Sequence, residues 1–435
     1  MSGGLTHIHA DPSCDARARG RRSALDRALT QLHGAPGRTV AAFGDFTLTS
    51  AFQPIVGLAH RRTVGFEALV RADDAAGAAV PPPVLFGSVH KEAEIVALDR
   101  LCRALHVANF AGHRDPATWL FLNVDPTVAT RGAKHGSFFA ELLAHHAFAP
   151  QRVVIEVLES AIADETHLAD TLGYYRSLGC LVALDDFGSG NSNIERIWRI
   201  APDIVKLDRS LIVEAAQGPR HRRILRNLVA LMHEAGCLAL MEGIETETEA
   251  LTALDCDMDL AQGWFFARPA AIERFQHDQP AAPLVLYDRF RDRVRRDAER
   301  ERQFLAPYEI AFRHAALGIE AQQTVEIACY RLLAQAGVER CYLLDEQGTQ
   351  IGPNLIGRKA VSAARQNAAP LADATGASWS HRQYFRNANA APGKVCITQP
   401  YLSVTGCHMC VTLSIALDTA DGRRVLCCDL VWEGG

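Results

Sequence analysis

Residues 181–208 read LVALDDFGSGNSNIERIWRIAPDIVKLD, and this stretch decides the fold. It opens with an apolar run that ends on Asp185 and Asp186, and it closes with a second apolar run that carries Lys206 and Asp208. The segment between the two runs is long enough for a helix. Short apolar runs separated by longer amphipathic segments are typical of repeated βα units. The stretch therefore predicts a strand–helix–strand unit with polar groups at the ends of both strands.

The same alternation continues on both sides of this stretch, from about residue 45 to residue 278. Strand-like runs cover residues 47–58, 64–71, 119–125, 153–159, 181–187, 204–208, 238–244 and 260–266. Helical periodicity lies between them, for example over residues 85–110, 138–145, 168–178 and 222–235. About eight strands within roughly 235 residues match the size of a (β/α)₈ barrel, so we predict an α/β fold of the TIM-barrel type.

The rest of the chain divides into three further segments. Residues 1–40 lack steady periodicity and are predicted to be a loose tail with a short helix around residues 24–32. HDQPAAP at residues 277–283 indicates a linker. It leads into DRFRDRVRRDAERERQF at residues 288–304, a charged helix that either connects domains or mediates signalling or dimer formation. The predicted domains are therefore 1–40, 41–278 (the barrel), 279–319 (a linker helix) and 320–435.

Composition limits the classes of function. The 435 residues carry a formal net charge of −5, so the chain lacks the basic excess of a protein that binds a nucleic-acid polymer. No apolar run reaches the roughly 18 residues that a membrane span needs. The polar, arginine-containing start of the chain also lacks the apolar core of a signal peptide. We expect a cytoplasmic protein.

Nearly every apolar run of the barrel region carries a polar group at or near its C-terminal end. These groups are Glu67, Asn123, Glu156, Glu159, Asp185, Asp186, Lys206, Asp208, Glu242, Glu245 and Gln262. A single acid at such a position is usually a solvated strand end or a helix cap. Because the C-terminal ends of barrel strands converge on the face where barrel active sites lie, we expect the whole set to gather in one bowl.

So many carboxylates in one bowl require neutralising cations, because like charges raise each other's pKa and unpaired buried charges are costly. Oxygen ligands without His or Cys favour hard cations, Mg²⁺ or Mn²⁺. The adjacent Asp185 and Asp186 are suited to two ions, the arrangement used for displacement at phosphorus. Lys206 adds positive charge beside a water or a developing phosphorane.

The barrel region resembles the EAL domain family, the cyclic di-GMP phosphodiesterases, over its whole length. The motif appears as Glu67-Ala68-Leu69, with FQPI at residues 52–55 before it and Arg71 after it. FLNVDP, VIEVLES, ALDDFGSG, IVKLDRS, MEGIET and AQGWFFARP follow in the family's order. The resemblance implies hydrolysis of cyclic di-GMP to a linear dinucleotide with a 5′-phosphate, and a homodimer.

The resemblance also implies a role for each matching residue. It implies a first ion held by Glu67, Asn123, Glu156 and Asp185, and a second ion held by Asp185, Asp186 and Glu242. It implies an attacking water positioned by the catalytic residues Lys206 and Gln262, with Glu242 and Glu245 supporting. It implies substrate contacts from Gln53, Leu69, Arg71 and Asp208, and loop support from Glu159 and Ser189.

One loop departs from the family pattern. DDFGSGNSN stands where the family usually has DDFGTGYSS, so Asn191 replaces an aromatic residue and Asn193 replaces a serine. In the family this loop supports the second ion and the dimer face. The departure motivates an alternative function, a catalytically weak or inactive cyclic di-GMP receptor that signals through protein partners.

The C-terminal segment, residues 320–435, predicts a small α+β domain that loosely resembles PAS and Cache sensor domains. A helix is predicted at 324–336 and strands at 340–344, 394–398, 411–417 and 424–431. Arg382, Tyr384 and Asp429 are either pocket residues for an unknown small ligand or ordinary surface and strand positions. Seven of the 12 cysteines of the chain lie after residue 320. Of these, Cys396, Cys407, Cys410, Cys427 and Cys428 either bind a metal, sense redox state, or pack as small hydrophobic residues.

Overall fold

The structure is a computed structural model that describes residues 23–35, 37–113, 115–131, 137–158, 165–190, 193–275, 284–358, 373–403 and 408–432. The described residues form two compact units, one ending at Phe290 and the other beginning at Arg291. The finer division at residues 40, 278 and 319 stays a prediction. No helix within the described ranges is both long and apolar enough to cross a membrane.

The first unit is built around a closed barrel of eight strands. The strands of this unit, which include the eight of the barrel, are β1 (Leu32–His33), β2 (Val40–Phe43), β3 (Phe46–Gly57), β4 (Arg62–Asp73), β5 (Ala79–Val80), β6 (Trp119–Asn123), β7 (Val153–Leu158), β8 (Leu181–Phe187), β9 (Ile204–Leu207), β10 (Leu238–Met241) and β11 (Leu260–Gln262). The barrel follows the order β3-β11-β10-β9-β8-β7-β6-β4, and β4 pairs back with β3. The predicted eight-stranded barrel is confirmed.

The direction of β3 is the main departure from a regular (β/α)₈ barrel. β3 pairs antiparallel with both β4 and β11, whereas the other neighbouring barrel strands are parallel. Only residues 58–61 join β3 to β4, and a parallel connection needs a crossover of a dozen residues or more. The barrel therefore begins with a hairpin.

Helices separate the later strands, as the periodicity predicts. They are α1 (Ala24–Leu29), α2 (Pro82–Gly87), α3 (Glu92–Phe110), α4 (Pro126–Arg131), α5 (Phe138–His145), α6 (Glu165–Leu178), α7 (Ile194–Ile200), α8 (Arg209–Gln217), α9 (Pro219–Glu234) and α10 (Glu247–Asp255), with 3₁₀ turns at Pro150–Arg152 and Ile272–Phe275. The single helix predicted over 85–110 is two helices, since α2 ends at Gly87 and a new helix starts at Glu92. The predicted strands 238–244 and 260–266 are shorter, because the backbone leaves the sheet at Gly243 and Gly263.

One apolar side chain from each barrel strand fills the barrel interior. We call this set the barrel plug: Ile55, Val64, Phe121, Val154, Ala183, Ile204, Leu240 and Leu260. Outside the strands, a larger apolar cluster packs the helices against the barrel wall. The plug closes the barrel to solvent, so any polar residues on the same inward face can lie only above or below it.

The second unit contains an antiparallel sheet. Its elements are α11 (Leu284–Glu320, which begins in the first unit), α12 (Val325–Ala328), α13 (Tyr330–Leu333), β12 (Val338–Leu344), β13 (Gln350–Ile356), α14 (Gln383–Ala390), β14 (Cys396–Ile397), β15 (Tyr401–Leu402), β16 (Met409–Thr419) and β17 (Gly422–Val431). The sheet order is β13-β12-β17-β16-β14, with β15 also paired to β16. The sequence did not predict β13, β15 or α14, and the helix predicted at 324–336 is two single turns. The likeness to PAS and Cache domains stays a prediction.

Candidate active site

The polar groups at the strand ends lie on the same inward face as the barrel plug. In six strands the site residue stands two positions beyond the plug residue: Asn123, Glu156, Asp185, Lys206, Glu242 and Gln262 follow Phe121, Val154, Ala183, Ile204, Leu240 and Leu260. Because side chains alternate along a strand, a step of two returns to the same face. β3 runs the other way, so its site residue precedes its plug residue, as Gln53 precedes Ile55. The predicted bowl therefore forms directly above the plug.

Lys206 lies at the centre of this bowl and is 1% exposed. Its Nζ lies 2.5 Å from Glu156 Oε1, 2.7 Å from Glu242 Oε1, 3.0 Å from Asp185 Oδ1 and 3.7 Å from Glu67 Oε1. Burial lowers the pKa of Lys206, but the four carboxylates raise it further than burial lowers it, and the net pKa lies well above the usual value. Lys206 is therefore a permanently charged ammonium that fixes the positions of four acids.

Amide side chains hold Glu67 from the other side. Gln262 Nε2 donates to Glu67 Oε2 at 2.7 Å and to Gln53 Oε1 at 3.1 Å, while Asn123 Nδ2 donates to Glu67 Oε1 at 3.2 Å. These bonds link β4, β6, β11 and β3 across the top of the barrel. The four residues that the resemblance assigns to a first ion, namely Glu67, Asn123, Glu156 and Asp185, are thus brought together.

Asp185, Asp186 and Glu242 form a second acidic group. Each offers a carboxylate oxygen, and these oxygens lie within 4.8 Å of one another. Asp186 has a φ of 59°, a left-handed conformation that is uncommon for a residue with a side chain. Its backbone N–H donates to Asp185 Oδ1 at 3.0 Å. This turn at the end of β8 directs two consecutive carboxylates to one place, and such strained positions are common at functional sites.

The electrostatics show more negative charge than Lys206 can neutralise. Burial first, and then the charges of Glu67 and Asp185, raise the pKa of Glu156 well above its usual value. Burial, and then Asp185 and Glu67, raise the pKa of Glu242 to about 8. The pKa of Asp186 is also raised, by burial and by Asp185. Five acids face one lysine, so the site favours additional cations.

The donor set fits hard divalent cations. Every potential ligand is a carboxylate or amide oxygen, the type that Mg²⁺ and Mn²⁺ prefer. Two buried oxygens, Glu156 Oε2 and Gln262 Oε1, have no hydrogen-bond partner among the described residues. Buried acceptors are normally satisfied. A cation or a water held by one would satisfy them.

Two residues assigned by the resemblance lie at the rim. Arg209 binds both oxygens of Glu245, with Nη1 at 2.7 Å and Nη2 at 2.8 Å, and Arg209 also donates to the Gly243 carbonyl. Asp208 caps α8 by accepting from the Ser210 N–H at 2.9 Å. Neither Glu245 nor Asp208 contacts Lys206. Arg209 was not among the residues predicted from the sequence, although its position directly after KLD at the start of a helix marks it as a residue of the same rim.

The remaining predicted site residues lie around the bowl or cannot be placed. Leu69 and Arg71 line a cavity that Asn123 also lines. The backbone N–H of Ser189 donates to the Asp186 carbonyl at 3.2 Å, and Asn193 caps α7 by accepting from the Glu195 N–H. Glu159 and Asn191 lie outside the described residues, so their predicted roles in the loop stay predictions.

The second unit brings its candidate residues together as well. Arg382, Tyr384 and Asp429 all line one small cavity of about 20 Å³. Arg340, which was not predicted from the sequence, donates from Nε to Asp429 Oδ2 at 2.7 Å, and both groups are buried. Thr412 Oγ1 also donates to Asp429, at 2.6 Å. The carboxylate of Asp429 is therefore fully engaged inside the protein.

The cysteines singled out in the sequence are mostly buried where the structure describes them, and the choice between metal binding, redox sensing and hydrophobic packing stays open. Cys410, Cys427 and Cys428 are buried, Cys396 is half-buried, and all four are free thiols. Burial raises the pKa of Cys410 to about 12 and also raises the pKa of Cys427 and Cys428. Within the described residues, no cysteine belongs to a group of three metal-ligating side chains. Cys407 lies outside the described residues.

Comparisons with known proteins agree with this geometry. The family model "EAL domain" matches residues 41–269, which is more than half of the chain. The cyclic di-GMP phosphodiesterase RocR of Pseudomonas aeruginosa is 29% identical over 230 residues, covering 52% of this chain and 58% of RocR. The cyclic di-GMP phosphodiesterase NbdA of the same organism is 29% identical over 248 residues, covering 54% of this chain and 31% of NbdA. The chain thus spans less than two thirds of either relative.

Among solved structures, the Bacillus subtilis YkuI protein matches this chain with a TM-score of 0.71. YkuI has an EAL domain and was solved in complex with substrate c-di-GMP and calcium. It is 20% identical and covers 89% of this chain and 97% of its own, so the likeness supports the fold alone. The family match, the eight-stranded barrel and the acidic bowl at the ends of its strands lead to one conclusion: this chain belongs to the EAL domain family.

Proposed function

We propose that the protein hydrolyses cyclic di-GMP to linear 5′-pGpG with the help of two divalent cations, Mg²⁺ or Mn²⁺. One observation carries the proposal: a buried, permanently charged Lys206 surrounded by carboxylates that it does not fully neutralise. Two relatives that bear the name cyclic di-GMP phosphodiesterase support the choice of substrate.

Each residue has a defined task in this proposal. Glu67, Asn123, Glu156, Asp185, Asp186 and Glu242 hold the cations. The cations, when bound, neutralise the charge of the phosphodiester and make water more acidic. Lys206 and the unpaired Gln262 Oε1 orient the attacking water through hydrogen bonds. Arg209 keeps Glu245 at the rim, where it supports the turn that carries Glu242.

The second unit is proposed to be a sensor domain that regulates the barrel. The support is a separate sheet with its own apolar core and a cavity that gathers Arg382, Tyr384 and Asp429. A thermal-shift screen of small molecules against the full chain and Arg382→Ala tests this idea. A ligand that stabilises the full chain but not the variant supports it, and a screen without such a ligand contradicts it. Homodimer formation and a cytoplasmic location stay predictions.

Chromatography of the reaction products tests the enzymatic proposal. The purified chain is incubated with cyclic di-GMP and Mn²⁺, alongside Glu67→Ala and the control Glu195→Ala, which removes an exposed acid on α7. We expect 5′-pGpG from the wild type and the control, and a loss of about 10²–10³-fold or more in Glu67→Ala. Normal turnover in Glu67→Ala would refute the proposed site. Tight binding without product in the wild type would favour the receptor alternative.

A further inference from the structure

The turn that follows β6 is held by a carboxylate from outside the bowl. Asn123 ends β6, and Val124 and Asp125 lead from it into α4. The backbone N–H of Asp125 donates to Oδ1 of Asp99, a residue of α3, at 3.1 Å. The Val124 N–H donates to the Glu156 carbonyl of β7 at 3.1 Å. Both residues that follow Asn123 are therefore tied to a neighbouring element.

The side chain of Asn123 has little packing to hold it. Asn123 is exposed, whereas Leu122 and Val124 on either side of it are buried. Its Nδ2 donates to Glu67 Oε1 at 3.2 Å, which leaves its Oδ1 for a cation. The direction of this amide therefore depends on where the backbone leaves β6.

Asp99 is a rigid support for this turn. It is 3% exposed and forms an ion pair with Arg103, one helical turn further along α3. Arg103 Nη1 donates to the Tyr175 hydroxyl of α6 at 2.8 Å. The guanidinium of Arg103 also lies over the rings of Phe138 and Phe139 of α5, 5.7 and 5.3 Å from the ring centres. The carboxylate of this pair is thus fixed by contacts from three helices.

We propose that Asp99 is a positioning residue for Asn123, and so for the first of the two cations. Asp99 acts through the backbone, because it holds the Asp125 N–H and thereby sets the point where the chain leaves β6. Removal of an outer group that orients a metal ligand typically lowers metal affinity 10–100-fold. A purely structural ion pair would change the stability of the barrel and leave its metal affinity unchanged. This inference rests on the proposed function and adds Asp99 to it.

Two double variants separate the hydrogen bond from the ion pair. Asp99→Asn with Arg103→Met removes both charges but keeps an oxygen that can accept from the Asp125 N–H. Asp99→Leu with Arg103→Met removes both charges and the acceptor. Because neither variant leaves a buried charge without its partner, we expect both to fold, and melting temperatures check this. Asp255→Leu with Arg222→Met is the control, which removes a largely buried ion pair between α10 and α9.

Electron paramagnetic resonance of free Mn²⁺ measures the affinity of each variant for the ion. We expect the leucine double variant to bind at least one of its two Mn²⁺ ions about tenfold more weakly than the wild type. The asparagine double variant and the control should bind both ions within about twofold of the wild type. Equal affinities in the two Asp99 double variants would overturn the inference. If the leucine double variant fails to fold, wild-type affinity in the asparagine double variant supports the inference, and a tenfold loss overturns it.

The proposed function and this inference can fail separately. A wild type that binds Mn²⁺ but makes no 5′-pGpG contradicts the proposed function, and the Mn²⁺ affinities still decide the role of Asp99. Normal hydrolysis by the wild type, with equal affinities in the two Asp99 double variants, contradicts the inference alone. A wild type that binds no Mn²⁺ contradicts both.

Discussion

Glu242→Gln is expected to stabilise the metal-free protein, although it removes a proposed metal ligand. Burial and neighbouring acids raise the pKa of Glu242 from 4.5 to about 8 in the folded chain. Between these two values the folded state binds the proton more tightly than the unfolded state, so stability falls as pH rises through this window. One pKa unit corresponds to about 1.4 kcal/mol of free energy. Ionisation of Glu242 therefore lowers the free energy of unfolding by about 1 kcal/mol at pH 5 and by about 4 kcal/mol at pH 8.

Glutamine removes the charge but keeps an oxygen that can accept from Lys206, which lies 2.7 Å from Glu242. In EDTA at pH 8 we therefore expect Glu242→Gln to melt about 10 °C above the wild type, and at pH 5 the two should nearly coincide. Saturating Mn²⁺ should reverse the order, since only the wild type retains the full ligand set. Differential scanning calorimetry measures all three conditions.

Glu245→Gln is the matched control, because Glu245 sits at the rim in a partly exposed pair with Arg209. Such pairs contribute about 0–1 kcal/mol, so this variant should differ little from the wild type at either pH. The reasoning is refuted if Glu242→Gln is no more stable than the wild type at pH 8 in EDTA, or if its advantage is the same at pH 5.

Three further predictions concern packing and charge. Asp429→Asn should destabilise the second unit by about 3–5 kcal/mol in denaturant titration, because it removes the carboxylate 2.7 Å from the buried Arg340 and leaves Glu339, at 3.7 Å, as the nearest acid. Asp418→Asn, in an exposed pair on the same sheet, should change stability by less than about 1 kcal/mol, and equal effects of the two variants would contradict this. Gly263→Ala should abolish hydrolysis, because a Cβ there would lie 2.0 Å from the Ile244 carbonyl oxygen, and near-normal turnover would be the contrary result. Lys206→Met should lower kcat at least about 10²-fold. The melting temperature of its metal-free form should fall as pH rises from 5 to 8, and a melting temperature that does not change with pH would disprove this.

Much of the barrel could be predicted from the sequence because six of its strands share one local design. An apolar residue enters the plug and a polar residue follows two positions later, as in Phe121 and Asn123 or Ile204 and Lys206. This period-2 pattern is local, so it is readable without a structure. The direction of β3 was harder to predict. The short loop before Arg62 is the one feature of the sequence that indicates an antiparallel hairpin here and not a parallel pair of strands.

The parts that the sequence did not reveal depend on contacts between distant residues. Arg209 and Glu245 lie 36 positions apart and meet only because two neighbouring strands end together. His106 looks like an ordinary apolar-face histidine of α3 until the fold places Ser50 beside it. The helix break has a local cause, since it falls at Gly87 and glycine is a weak helix former. The strand β13 was hard to predict because it contains Gly352 and Pro353, which are uncommon inside strands.

The most direct test of the proposed chemistry is anomalous diffraction from crystals of the full chain soaked in Mn²⁺. We predict two manganese peaks at the ends of β4 to β11, with a carboxylate of Asp185 between them, one peak beside Glu67 and the other beside Glu242. Loss of both peaks in Asp185→Asn should accompany loss of product. Absence of manganese from the bowl of the wild type, or peaks bound elsewhere while cyclic di-GMP is still hydrolysed, would contradict the proposed mechanism.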